Sequence, residues 1–527
     1  MKKIIITDSV DKKSVIILEN AGFQVTYQPG MPKDEIKKVI KDYNGLIVRS
    51  DTQVTPDLIE LMDNMEVIGR AGAGVDNINL EAATRKGIIV MNTPGGNTVS
   101  TAEHTMALML SMCRNVPQAN QSLRAGKWDR KKYKGTELQG KVLGIIGLGK
   151  IGREVAIRSK AFGMEIIGFD PVLSEEVASK LGIKLLDLDS VFAKSDIITV
   201  HVPLSSETKN LLSEETIAKC KDGVKIINCA RGGIVDEAAL VKALDSGKVS
   251  GAAFDVYVSE PPDFNGAFIQ HPKVVTTPHL GASTDEAQEK VAIQIAEQIV
   301  DLFNQKGVRG AVNAAAIESG SNKEFEPYVK LAEDLGSLHS QLHKGQLKKI
   351  NINYSGEMLH NFTTLLSTAV LKGFLSKKLT AGVNLINAPF LAKEMGISLN
   401  ETKSSANLNY TNLMTVEFIT DKETRSFAGT VFGNNERRIV YIDKYHLELK
   451  PEGHMLFYYN IDKPGMLANV GKILAEANIN IAGLSLGRFE IGKEALTVIN
   501  VDSEINKEVL NSILSVSGVH SVSAISL

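Results

Sequence analysis

The sequence has little cysteine, little tryptophan and no long apolar run. Only 3 Cys and 1 Trp occur in 527 residues. Cys113, Cys220 and Cys229 cannot build a disulfide framework and are not at zinc-ligand spacing. This excludes a small stapled secreted fold and points to a reducing cytoplasm, with no metal site expected. No stretch of about 18 uncharged apolar residues is present, so no membrane-spanning helix is expected. The apolar run at 4–6 is too short for a signal segment and fits a first strand. Charge of one sign is also missing. Lys+Arg 59 against Asp+Glu 61 gives a formal net charge of -2, which excludes a globally basic nucleic-acid binder.

What is present reads as several α/β units. At roughly 150 residues per domain, the length predicts three or four domains. Residues 1–97 alternate short apolar runs, at 3–7, 23–27, 45–49, 66–70 and 88–92, with amphipathic stretches such as 11–20 and 34–41. That pattern predicts a parallel sheet. A helix is expected from Asn97 or Thr98, either of which can cap its free N–H groups. It is apolar nearly all round, as a helix buried between layers is. A second run of six strands follows at 142–147, 165–170, 196–203, 225–229, 250–256 and 274–278. A helix over 284–304 places Val291, Ile295, Ile299 and Leu302 on one face. Residues 310–325 are small and polar, a linker composition. Helices and β-rich stretches such as 349–354 and 438–443 occupy 326–450. The tail, 453–527, reads β-α-β-β-α-β.

The strongest motif is Gly147-Leu148-Gly149-Lys150-Ile151-Gly152, directly after an apolar strand and opening a helix. Gly147 permits a tight turn, Gly149 a close approach of backbone to a pyrophosphate, and Gly152 close packing of helix on strand. The helix N-terminus offers N–H donors to phosphate. Asp170 lies 18 residues beyond Gly152 at the end of the next strand, where a carboxylate accepts the ribose hydroxyls of NAD and repels the 2′-phosphate of NADP.

Three further segments end strands on the carboxyl side of the second sheet, where a doubly wound fold binds ligands. They are 228–233 with Arg231, 259–262 with Glu260, and 277–282 with His279. Arg231 has the fork of donors a carboxylate needs. His279 can accept a proton near neutral pH. A carboxylate beside it, Glu260, orients the ring and favours the imidazolium. In the first unit, Arg49 and Ser50 end one strand, and Arg70, Gly72 and Gly74 follow another. Glycine N–H groups and paired arginines suit a substrate with a second anion. The alternative is that the two arginines make surface salt bridges.

GxGxxG with Asp170, NCARGGIVDE, the Glu260 segment and PHLGAST together resemble the D-isomer-specific 2-hydroxyacid dehydrogenases over about residues 1–310. The resemblance implies a fold of two interleaved doubly wound α/β domains, flavodoxin-like and Rossmann. The substrate-binding domain would be 1–97 with 282–310, and the NAD-binding domain 98–281. It implies Arg231, Glu260 and His279 as the catalytic set. NAD would contact Gly147, Gly149, Lys150, Ile151, Gly152, Asp170, Cys229, Ala230, Arg231, Asp255, His279, Gly281 and Ala282. RAGAGVDNI, MNTPGGN and GKWDRKKYKGTEL are most similar to the branch that oxidises 3-phospho-D-glycerate to 3-phosphohydroxypyruvate for serine synthesis. Its substrate contacts would be Arg49, Ser50, Arg70, Gly72, Gly74, Asn97 and, from a neighbouring subunit, Arg130. Asn97 reads equally as a helix cap, and the basic run around Arg130 equally as a solvated loop. The rival readings are a hydroxypyruvate/glyoxylate reductase, whose substrates lack the phosphate, and an NAD-sensing corepressor, which lacks the tail.

The stretches VNLINAP and AGTVFG and residues 446–450 resemble an intervening regulatory domain, 311–451. There Arg437, Arg438 and Lys444 either gather an anion or protect a strand edge. The tail, 452–527, resembles the ACT regulatory domain. Asn480 begins the next strand and can face the turn at 460–465. The likeness implies L-serine as an effector held by Asn460, Asp462 and Asn480 between two paired domains. It also implies a cytoplasmic homotetramer or homodimer.

Overall fold

The computed structural model describes residues 1–314, 325–379, 382–405, 409–433 and 435–527. Most of the linker expected over 310–325 therefore lies outside the described residues. The first sheet is parallel: β1 Lys3–Ile6, β2 Gln24–Tyr27, β3 Gly45–Val48, β4 Val67–Arg70 and β5 Ile89–Met91, in the order β2-β1-β3-β4-β5. Its central strands are buried on both faces, which is why they read as continuous apolar runs. The helix Asp285–Phe303, capped by the Thr284 side chain, returns from far along the chain to cover one face. Val291, Ile295 and Ile299 pack there with Ile4, Ile6 and Met91.

The second sheet is also parallel. Its strands are β6 Val142–Ile146, β7 Glu165–Phe169, β8 Lys184–Leu185, β9 Ile197–Val200, β10 Val224–Asn228, β11 Val249–Phe254 and β12 Val274–Thr276. The order is β12-β11-β10-β9-β6-β7-β8. The order reverses between β6 and β9, a switch point at which such sheets open a ligand crevice. Seven strands form rather than the six expected. Edge strand β8 has two residues, too few to show a period. The helix Thr98–Arg114 joins the two sheets, and Ala102, Met109 and Met112 pack with Leu143, Ile145 and Ala253. Asn97 precedes that helix but its side chain makes no capping bond. Its backbone (φ -100, ψ 12) is not the extended conformation a cap needs.

The third sheet is β13 Leu347–Ser355, β14 Ser398–Ser404, β15 Leu413–Thr420, β16 Thr424–Phe432, β17 Glu436–Ile442 and β18 Tyr445–Leu449. Its order is β14-β13-β15-β16-β17-β18, mixed, with helices Glu326–Leu342 and Thr363–Ser376 packed against it. This body is fastened to the first sheet's unit at the C-terminus of helix Leu80–Lys86. There the Asn384 and Asn387 amides donate to the carbonyls of Gly87 (2.8 Å) and Arg85 (3.3 Å). The expectations for its basic residues are both corrected. β17 is an interior strand, so Arg437 and Arg438 protect no edge. Arg437 pairs with Asp334 (2.9 Å), Arg438 with Glu436 (2.7 Å) and Lys444 with Glu494 (3.4 Å), so each cation has a carboxylate of its own.

One buried group in this body sets a pH dependence. His339 is fully buried, stacked 3.9 Å from Phe418, and among the described residues neither ring nitrogen has a hydrogen-bond partner. Burial, helped by the nearby His343, Arg425 and Lys378, pushes its pKa down to about 2. The folded state therefore holds the neutral ring while the unfolded chain takes up a proton below about pH 6.5. The stability linked to this histidine is fully present above that pH. Below it, about 1.4 kcal/mol is lost per pH unit. Urea melts of wild type and His339→Phe between pH 7 and 5 should converge at pH 5 if wild type is the more stable at pH 7, or diverge in favour of Phe. Parallel lines would remove His339 as the cause.

The tail forms an antiparallel sheet of β19 His454–Ile461, β20 Ile481–Arg488, β21 Glu494–Val501 and β22 Val519–Ser526, in the order β20-β21-β19-β22. Helices Met466–Glu476 and Lys507–Leu514 cover one face through Val470, Leu474, Val509 and Ile513. Among the described residues no helix is long and apolar enough to cross a membrane, and no cluster of side chains is arranged to hold a metal.

Candidate active site

The loop after β6 is built as its glycines require. Gly147 has φ +93, and a Cβ there would lie 2.6 Å from the His201 carbonyl. A Cβ on Gly152 would strike the Gly147 carbonyl, whereas nothing lies within 4 Å of one on Gly149. The N-terminus of helix Lys150–Ala161 is thus open to a phosphate group. Asp170 accepts from the backbone N–H groups of Leu148 (2.8 Å), Val172 (2.9 Å) and Leu173 (3.0 Å). Burial raises its pKa, but those bonds and the Arg153 charge outweigh it and hold the carboxyl below its ordinary value. An open glycine at a helix N-terminus and an ionised carboxylate at the end of the next strand fit a dinucleotide. Lys150, the first helical residue, reaches the Pro94 carbonyl (3.2 Å), and Ile151 packs on the core below. Cys229 is buried, and burial pushes its thiol up to about 12, so it stays a neutral, unreactive group. The next residue, Ala230, donates its N–H to Asn228 Oδ1 (3.0 Å).

The three strand-end segments converge on the same crevice. His279 Nδ1 lies 2.7 Å from Glu260 Oε2, while Glu260 Oε1 accepts from the Tyr257 N–H (3.1 Å). Burial pushes the Glu260 carboxyl up, but its bond to His279 outweighs that and the net shift is downward. With Nδ1 directed to a carboxylate, Nε2 is the nitrogen left for a substrate. His279 itself has φ +55, a left-handed conformation that costs a non-glycine residue of order 1–3 kcal/mol and survives only where the surroundings fix it. Asp255, Gly281 and Ala282 lie on the same loops. Asp255 accepts from the Leu280 and Gly281 N–H groups (2.7 and 2.8 Å).

Arg231 reaches across the crevice. Its Nε donates to Asp76 Oδ2 (2.9 Å), on the loop after β4, and its Nη1 to the Ala230 carbonyl (2.7 Å). A Cβ on Gly74 would collide with Arg231 Nη2, so glycine is needed for the guanidinium to lie against that backbone. Arg70 donates to the carbonyls of Arg49 (3.1 Å) and Gly74, and Gly72 donates its N–H back to the Arg70 carbonyl (2.8 Å). Burial, together with the Arg231 charge, pushes the Arg70 pKa down to about 10. The Arg49 guanidinium donates to the Ser9 carbonyl (3.2 Å), its backbone N–H donates to Asp8 Oδ2 (2.6 Å), and exposed Ser50 sits beside Asp51 (3.4 Å). Among the described residues neither Arg49 nor Arg70 has an ion-pair partner, so the salt-bridge alternative is not the arrangement seen. Asn97, released from capping, is half-buried at the helix entrance. Arg130 is exposed on the loop after helix Val116–Arg124, with no bond to the crevice among the described residues. Two residues at the site had not been singled out from the sequence, Asp76 and His104. His104 Nε2 lies 3.1 Å from Asp255 Oδ1. Its signal in the sequence was weak, one polar side chain among several in the first turns of the helix, beside Ser100, Thr101 and Glu103.

The tail requires a correction. Asn460 is buried and donates to the Ile461 carbonyl (2.8 Å), and Asp462 accepts from Arg488 and the Gly492 N–H (both 3.3 Å). Asn480 instead donates to Asp502 (2.7 Å). Ile461 pairs with Glu494 and Ile481 with Val501, at opposite ends of β21. At about 3.3 Å per residue those ends are roughly 20 Å apart. Asn480 does not face the 460–465 turn of its own chain, because β20 runs antiparallel to β21 and starts at the far end.

A dinucleotide crevice bearing a Glu–His pair, an arginine fork and two guanidiniums without an ion pair among the described residues suits a dehydrogenase for anionic 2-hydroxy acids. Comparison with known proteins agrees. Residues 106–281 match the D-isomer specific 2-hydroxyacid dehydrogenase NAD binding domain, 324–443 the D-3-phosphoglycerate dehydrogenase intervening domain, and 454–518 the ACT domain. The chain is 41% identical over 519 residues to a D-3-phosphoglycerate dehydrogenase of Archaeoglobus fulgidus, covering 98% of both chains. It is 42% identical to that of Methanocaldococcus jannaschii over the full length of both. Among solved structures, a glyoxylate reductase from Paecilomyes thermophila is 30% identical with TM-score 0.54, covering 59% of this chain and 98% of its own. A D-lactate dehydrogenase from Aquifex aeolicus, complexed with NAD and lactic acid, is 29% identical with TM-score 0.50, covering 57% and 95%. The chain belongs to the D-3-phosphoglycerate dehydrogenases, within the D-isomer specific 2-hydroxyacid dehydrogenase family.

Proposed function

We propose that the chain catalyses NAD-dependent oxidation of 3-phospho-D-glycerate to 3-phosphohydroxypyruvate, the first step of L-serine biosynthesis. One observation carries the choice of substrate. Three guanidiniums, Arg49, Arg70 and Arg231, gather at the crevice, and Asp76 pairs with Arg231. The buried Asp8 carboxylate is taken up by the backbone N–H groups of Arg49 (2.6 Å), Asp51 (3.1 Å) and Thr52 (3.1 Å), so Arg49 and Arg70 have no ion pair among the described residues. A substrate bearing a carboxylate and a phosphate supplies the missing anions. His279 Nε2 takes the hydroxyl proton, and Glu260 stabilises the imidazolium that results. Arg231 holds the carboxylate and polarises the forming ketone. Arg49 and Arg70 hold the anionic ends, with Ser50, Asn97 and the backbone N–H groups of Gly72 and Gly74 completing the cradle. Arg130 reaches it from a neighbouring subunit of a cytoplasmic homo-oligomer. Bound NAD supplies the hydride acceptor, on the Gly147–Gly152 turn, Asp170 and the 229–231, 255 and 279–282 loops. The working division is 1–97 with 282–310 for substrate, 98–281 for NAD, 311–451 intervening and 452–527 ACT. Turnover of 3-phosphoglycerate, scored against glycerate oxidation and glyoxylate reduction, tests the reading. A preference for either unphosphorylated substrate would favour the reductase alternative.

The carboxylate of Asp170 leads to a cofactor prediction. NAD should be preferred to NADP by at least roughly tenfold in kcat/KM, since one mispaired charge costs on the order of 1–3 kcal/mol. Asp170→Ala should narrow the ratio mainly by improving NADP. Equal kinetics of the wild-type enzyme with both cofactors would exclude Asp170 as the selector.

L-Serine is the proposed effector. Because Asp462 and Asn480 lie at opposite ends of one tail, a ligand touching both lies between the tails of two chains. To inhibit, serine must favour a less active state, since equal affinity for two states shifts nothing. Serine should lower the wild-type rate, and Asp462→Ala or Asn480→Ala should relieve it with kcat nearly unchanged. Calorimetry showing no heat at millimolar serine would leave the tail as an assembly domain.

A further inference from the structure

The helix Thr98–Arg114 does more than join the two sheets. His104 lies about one turn beyond Ser100 and Thr101 on it. Ser100 Oγ (2.9 Å) and Thr101 Oγ1 (3.0 Å) both donate to the Gly281 carbonyl. His104 Nε2 lies 3.1 Å from Asp255 Oδ1 and 3.0 Å from Thr277 Oγ1. Thr277 Oγ1 donates its own proton to Asp255 Oδ1 (2.6 Å). Both neighbours of His104 Nε2 are therefore acceptors, and Nε2 carries the proton.

Asp255 is 1% exposed and is the hub of this arrangement. Besides Thr277 and His104 it accepts from the Leu280 and Gly281 N–H groups, at 2.7 and 2.8 Å. His279 sits between those anchor points, in its left-handed conformation. His104 is the donor that ties this carboxylate to the helix Thr98–Arg114, while Thr277, Leu280 and Gly281 tie it to the loop. Removing His104 therefore frees the hub from the helix and loosens the loop on both sides of the base, while the carboxylate keeps its other donors.

We propose that His104 is a positioning residue for the reaction: through Asp255 and Thr277 it fixes the 277–281 loop and thereby the placement of His279. The inference rests on the reading of His279 as the base. The substrate-binding unit and the base are then tied to one rigid element, because the helix that carries His104 begins where the chain leaves β5.

The test compares His104→Leu with His104→Gln, whose amide reaches a similar point and keeps a donor. Leu should lower kcat about tenfold to a hundredfold, as a sub-ångström to ångström misplacement does, with KM for substrate changed much less. Melting temperature should hardly move, and Gln should restore most of kcat. Hydrogen exchange of a peptide spanning 277–283 should be faster in Leu than in wild type or Gln, through the Leu280 and Gly281 amides. That readout needs no substrate. If wild type fails to oxidise 3-phosphoglycerate, the functional reading fails while the exchange result still decides this one. A Leu variant with wild-type exchange, with kcat within twofold of wild type, or matched in its defect by Gln overturns the positioning role.

Discussion

His279→Ala is expected to lower kcat for phosphoglycerate oxidation by roughly 10²- to 10⁴-fold, the range a positioned general base contributes. The geometry behind this is the 2.7 Å contact of Nδ1 with Glu260, which leaves Nε2 facing the crevice. A pH dependence accompanies it. The base works as the neutral ring, so kcat/KM should be full at high pH and fall on the acid side, where the imidazolium can no longer accept a proton. Glu260 is not the group that takes up the proton on that limb: its own pKa is held below the ordinary value, so it stays ionised near neutral pH. Glu260→Gln removes the charge that favours the imidazolium, so the acid limb should move to lower pH while the rate at the plateau falls. An acid limb that stays in place in Glu260→Gln would take the glutamate out of the relay. Wild-type kcat in His279→Ala would take out the histidine.

Arg49→Ala should cost roughly 2–5 kcal/mol in transition-state binding of 3-phosphoglycerate, as truncating one partner of a desolvated charge pair does. The same variant should lose much less with unphosphorylated glycerate. The basis is that the Arg49 guanidinium bonds the Ser9 carbonyl and makes no ion pair among the described residues. Its removal breaks no charge pair among them, so a large loss points to the ligand. Steady-state kcat/KM for both substrates measures this. Equal losses would assign Arg49 to the carboxylate common to both, or to the scaffold.

Most of the fold, and the side chains gathered at its strand ends, were legible in the sequence because those signals are local. Parallel strands buried on both faces read as short apolar runs. The Gly147–Gly152 turn needs its glycines within six consecutive residues, and Arg231, Glu260 and His279 each follow a recognisable strand. Strand β8 was missed because two residues carry no period. The anion site expected at Arg437, Arg438 and Lys444 failed because a sequence shows cations but not their carboxylate partners, which arrive from Asp334, Glu436 and Glu494. The placement of Asn480 failed because antiparallel pairing puts its strand start at the far end of β21. The same limit hid Asp76 and His104.

By itself the sequence determined the local conformations, the cofactor turn and the kinds of side chain offered to the crevice. These follow from periodicity and from backbone sterics within a few residues. The tertiary structure alone decided which charges are paired and which are free. Asp76 neutralises Arg231 from 155 residues away, and His104 meets Asp255 across 151. Such pairings depend on how two sheets and a joining helix pack, and no local pattern encodes the distance between groups that only packing brings together.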